Sequence, residues 1–161
     1  METQARLLRR IRILLGVFVV GLILSGVTAF PLLWELKLLA RWLAWNGVPP
    51  RLLQWILIVR DGLIDTYGKY PWLAYGTDWL AFGHLMIAVA FIGPLRDPQR
   101  NIWIIEFGMI ACVMVIPLAF ICGPIRGIPF YWTLIDCCFG VFGIIPLWLV
   151  RNYTLRLNTG E

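Results

Sequence analysis

From Ile102 to Cys122 the chain reads IWIIEFGMIACVMVIPLAFIC, 21 residues with a single charged side chain, Glu106. About 20 such residues as a helix match the thickness of a bilayer's hydrocarbon core, where every backbone N–H and C=O must be satisfied within the segment. This run restricts the chain to a buried helix of a large protein or a membrane span. Three further runs share the character. Residues 13–33 follow a basic segment containing Arg6, Arg9, Arg10 and Arg12. The others are residues 78–95 and 128–150. Hydrophobic residues make up 60% of the chain and charged ones 14%, well below the charge of a soluble domain. We therefore expect an all-α integral membrane protein, one membrane domain over residues 1–161 built as a bundle of four transmembrane helices. Val27-Thr28-Ala29 has the small residues of a signal-peptidase site. The apolar run continues past it, so the first span is expected to stay uncleaved.

Residues 34–75 do not fit the pattern of a span. Glu35, Lys37 and Arg41 interrupt the apolar character, and Gly47, Pro49 and Pro50 punctuate the middle. Beyond them Arg51, Gln54, Asp61 and Asp65 fall on one helical stripe, with Leu52, Leu53, Ile56, Val59, Leu63 and Ile64 mostly opposite. This predicts one or two amphipathic helices lying at an interface. Trp34, Trp42, Trp45, Trp55 and Trp72 suit headgroup depth.

The net charge is +5, but its arginines cluster at the ends of apolar runs rather than on a single polar surface, which excludes a nucleic-acid partner. The N-terminal segment, the turn Arg96–Asn101 and the tail together hold eight arginines, whereas Arg126 is the only charge between the last two spans. By the positive-inside rule both termini are expected in the cytoplasm and residues 34–75 outside it. The host membrane is expected to be a bacterial inner (plasma) membrane. The lipid bilayer is then the first partner, and a homo-oligomer or a larger membrane complex the second.

Polar groups inside spans are the candidate site. A carboxylate at depth is costly, which singles out Asp136. The only histidine, His84, shares a stripe with Thr77, Ala81 and Ala88. Asp136 shares one with Thr133, Gly140 and Gly143. Small residues mark helix contacts, so both are expected to face protein, forming either a proton-handling or ligand-binding pair or a structural hydrogen bond. Asp78 joins them as a further candidate or serves as a helix cap, and Arg126 neutralises a carboxylate or is a solvated turn residue. Glu106 is expected to make an ion pair or snorkel near its helix end. Gly21 and Ser25 offer the first span a small face, and Pro94, Pro117 and Pro146 offer kinks.

Cys122, Cys137 and Cys138 lie near the outer ends of the third and fourth spans. In helix count and topology the chain is similar to small four-helix oxidoreductases of bacterial membranes, which couple thiol–disulfide chemistry to quinone. Those enzymes use a CxxC pair that this chain lacks, and adjacent cysteines bridge poorly. Packing is the simpler role for these thiols. His84 is also the one side chain suited to hold a haem or chlorophyll-type pigment axially. No metal-ligand spacing, phosphate loop or hydrolase motif is present. The composition therefore favours an accessory or interaction subunit over an enzyme. A transporter or binding protein for a small or lipid-like molecule comes next, with an outer cavity at His84 and Asp136, and a redox protein third.

Overall fold

The computed structural model describes residues 4–159, which form helices and no strand. Seven α-helices follow in order: α1 (Gln4–Ala29), α2 (Leu32–Trp45), α3 (Pro50–Lys69), α4 (Ala74–Ala90), α5 (Ile92–Arg96), α6 (Ile102–Ile125) and α7 (Phe130–Thr159). A single 3₁₀ turn, Pro71–Leu73, leads into α4. Four stretches are long and apolar enough to cross a membrane: Gln4–Ala29, Pro71–Arg96, Ile102–Ile125 and Phe130–Leu157.

The helix boundaries depart from the apolar runs for local reasons. The first helix takes in the basic segment and stops at Ala29, not at residue 33, because Pro31 has no N–H to give and disfavours helical geometry at Phe30. The second crossing-length stretch begins before Asp78 and is broken at Phe91. The ring of Pro94 clashes with the carbonyl four residues back, at Ala90, where α4 ends. The fourth helix runs well past residue 150.

Two compact units divide the chain, and α1 and α4 contribute to both. The first holds residues 1–21 and 88–161. Within it α6 and α7 pack as an antiparallel pair joined by a tight turn. That turn closes with Gly127 at φ 67°, while the Ile128 N–H donates to the Gly123 carbonyl (2.9 Å) and the Gly127 N–H to that of Pro124 (3.1 Å). These bonds satisfy the last carbonyls of α6, and they require the left-handed conformation that only glycine adopts at little cost. The seam is built from small residues. A side chain at Gly123 would meet Thr133, one at Gly140 would meet the Cys112 carbonyl, and one at Gly108 would meet Leu147 and Phe91. In lipid, helices gain little from the hydrophobic effect, so close van der Waals approach across small residues carries the association. Most of the fully buried large side chains lie in this unit: Leu7, Ile11, Leu15, Phe91, Ile105, Leu147 and Val150 among them. Phe18 packs against Phe91, the rings tilted at 52° with centroids 4.9 Å apart.

The second unit, Leu22–Ile87, is organised by the α2–α3 hairpin. Asn46 and Gly47 (φ 62°) end α2, and Pro49 and Pro50 start α3, proline being well suited to a helix's first turn. Ala40, Leu43 and Ile56 are buried, while Arg60–Asp61 and Lys69–Asp65 pair on the exposed side of α3. Also in this unit, the backbone of α1 at Gly26 lies close to α4. A Cβ there would come within 3.0 Å of the Ala81 carbonyl and 3.2 Å of the His84 Cβ. Gly26, not Gly21, is thus the contact glycine of α1; Gly21 faces open space.

Candidate functional site

Asp136 stands in the second turn of α7, beside the buried Thr133 and Cys137, and is itself half-buried. Its carboxylate accepts no hydrogen bond and joins no ion pair among the described residues. Arg126, ten residues earlier, is exposed at the end of α6, where its backbone N–H caps the carbonyls of Cys122 and Gly123. Its guanidinium pairs with no carboxylate among the described residues, Asp136 included.

His84 is half-buried on α4, with Nδ1 2.9 Å from the Leu80 carbonyl. A carbonyl oxygen only accepts, so the neutral ring carries its proton on Nδ1 and keeps a lone pair at Nε2. The imidazole is thereby oriented by its own helix, with one nitrogen free to accept a proton or bind an electrophile. Asp78, also half-buried, lies on the same helix but well apart around its circumference. It does not cap α4, which begins at Ala74 and is preceded by the 3₁₀ turn. His84 and Asp78 belong to the second unit; Arg126 and Asp136 belong to the first.

Glu106 accepts a hydrogen bond from Arg151 Nε at 2.8 Å, an ion pair that links α6 to α7 with both side chains about one-third exposed. The pairing partner was not singled out in the sequence, although the signal was there. Glu106 lies 21 residues before Gly127 and Arg151 lies 22 after Pro129, the symmetric placement that an antiparallel hairpin brings together. Two cysteines, Cys112 and Cys137, are buried in the α6–α7 seam, while Cys122 and Cys138 are exposed. The Cys138 thiol donates to the Leu134 carbonyl at 3.4 Å, the usual resting place of a small polar side chain on a helix. No group of three metal-ligating side chains converges among the described residues.

Large apolar side chains cover the outer faces of the crossing-length helices: Val17 and Leu24 on α1, Val113 and Leu118 on α6, Phe139, Phe142 and Ile145 on α7. A soluble monomer rarely exposes a contiguous patch on this scale. No protein-family description, curated protein or solved structure matches the chain.

Proposed function

We propose that this chain is a small polytopic membrane protein that acts as an interaction subunit, assembling in the bilayer with copies of itself or with a larger complex. The observation that carries the reading is Asp136, a carboxylate within a crossing-length helix that finds no partner among the described residues. Such a group is expensive in hydrocarbon unless another helix supplies a donor or a positive charge. A second chain is the simplest source, and the many exposed apolar side chains of α6 and α7 give it a surface to meet.

The orientation belongs to the same reading. Four crossings leave both termini on one side, and the arginine count makes that side the cytoplasm, in a plasma membrane of bacterial type. The α2–α3 hairpin then lies along the opposite interface. Exposed Trp34, Trp42, Trp45 and Trp72 anchor it at headgroup depth, and the charged stripe of α3 faces water.

The test is the mass of the protein extracted in mild detergent and measured by light scattering. We expect an assembly larger than the 18.5 kDa chain that dissociates in the Asp136→Leu variant. A monomer in both forms sinks the reading. A second reading, binding of a small, lipid-like or pigment molecule, is favoured by one observation, the free Nε2 of His84. It would take precedence if a molecule co-purified with the chain and were lost in His84→Ala.

A further inference from the structure

The first three turns of α1 carry two faces. Leu7, Ile11 and Leu15 recur every four residues and are fully buried in the first unit. Well round the helix from them, Ala5, Leu8, Arg9, Arg12 and Ile13 line a shallow open groove of about 440 Å³. Arg9 and Arg12 are both exposed, and no carboxylate pairs with either among the described residues. By contrast, Arg151 is taken up by Glu106. Two residues three apart on a helix are surface neighbours, with Cβ atoms about 5–6 Å apart. Two guanidiniums on that spacing can converge on a single phosphate, for which their planar forks are suited. Beside them Leu8 and Ile13 offer an apolar wall, and the small side chain of Ala5 leaves the groove open. The site thus pairs a double positive charge with an adjoining greasy surface, at the point where a basic helix start gives way to an apolar run.

We propose that this face of α1 holds the headgroup of an anionic phospholipid, with its phosphate between Arg9 and Arg12 and the start of an acyl chain along Leu8 and Ile13. The inference rests on the membrane reading above and goes beyond it by naming a lipid class and the residues that select it. Neutral, zwitterionic headgroups carry a compensating positive charge that the two arginines would repel, so selectivity follows from charge as well as from shape.

The experiment uses the full chain in mild detergent, offered equal amounts of phosphatidylglycerol and phosphatidylcholine, with bound lipid read by native mass spectrometry. The wild type is expected to retain phosphatidylglycerol with a preference of roughly thirtyfold, the size expected of two arginines at a membrane surface. Arg9→Gln/Arg12→Gln should abolish the preference, and Arg9→Lys/Arg12→Lys should keep only part of it, since a lysine cannot form the fork. Arg126→Gln, at the opposite turn of the α6–α7 pair, should bind as the wild type does. The proposal is overturned if the double glutamine variant keeps its preference, or if millimolar inorganic phosphate strips the lipid, which would make the groove a site for the free anion. Alkaline carbonate extraction of membranes reads insertion separately. A chain that resists extraction but ignores headgroup charge sinks the groove alone, whereas one that is extracted sinks the membrane reading.

Discussion

At position 140 a side chain has nowhere to go. A Cβ on Gly140 would run into the Cys112 carbonyl, a backbone atom that cannot rotate aside, so α6 and α7 would have to part. Gly140→Ala should therefore destabilise the protein by about 1–3 kcal/mol, the usual cost of overpacking, despite alanine's better helix propensity. Gly21→Ala is the control, because nothing lies within 4 Å of that position; there the propensity gain of roughly 1 kcal/mol should be felt unopposed. Thermal unfolding in detergent separates the two, and equal melting temperatures would show that the seam is not tight at Gly140. Such residues also mark what could be read in advance. Thr133, Gly140 and Gly143 stood out as a small stripe because spacing alone places them together, and a Cβ at Gly140 or Gly143 would meet Cys112. Gly26 did not stand out, because α1 has several small residues and only its neighbour decides which of them is pressed. Asp136 and His84 stood out for the same reason, as polar groups in apolar runs. That Asp136 meets no partner among the described residues while His84 rests on the Leu80 carbonyl of its own helix was not legible, since whether another helix supplies a partner is a fact of tertiary placement rather than of sequence.

Helices, taken as elements, run further than hydropathy suggests. The basic start of α1 and the tail of α7 look like flanking polar segments when only lipid solubility is scored. Arginine is a good helix former, however, and Leu7, Ile11 and Leu15 on one side, with Val150, Thr154 and Leu157 on the other, continue the buried stripes past the apolar limits. Hydropathy finds the part of a helix suited to lipid; periodicity finds the helix. The Glu106–Arg151 pair joins this extension to the apolar run, since Arg151 lies just past the fourth run and Glu106 near the start of the third, and it ties α6 to α7 near their polar ends. With both side chains about one-third exposed, solvent screens the attraction, so the coupling should be modest. A double-mutant cycle with Glu106→Gln and Arg151→Gln should return an interaction energy of about 0.5–1 kcal/mol. A value near zero would mean that the seam's small residues hold the helices together unaided. A value of several kcal/mol would mean that the pair is far drier than its exposure implies.

For the whole molecule, the four crossing-length helices impose a strict alternation that can be checked without any ligand. Residue 62, on α3, and residue 99, in the turn between α5 and α6, are separated by one such stretch, Pro71–Arg96. If that stretch crosses the bilayer, the two positions lie on opposite sides, and the orientation proposed above expects residue 99 inside. Both are suited to a reporter: Gly62 faces open space, so a cysteine there disturbs nothing, and Gln99 is exposed. In a background with the exposed Cys122 and Cys138 replaced by serine, Gly62→Cys should react with a membrane-impermeant thiol reagent added to intact cells. Gln99→Cys should react only once the membrane is opened. The reverse pattern would invert the orientation and move the α2–α3 hairpin into the cytoplasm, where its tryptophans would meet the inner leaflet instead. Reaction of both from one side would show that residues 71–96 do not cross at all. A Gly62→Cys that reacts from neither side would place the hairpin within the hydrocarbon, where the ion pairs Arg60–Asp61 and Lys69–Asp65 would have to survive without water. Pairs so exposed are poorly suited to that, so their chemistry calls for reaction from one aqueous side or the other, and the proposed orientation makes that side the outside.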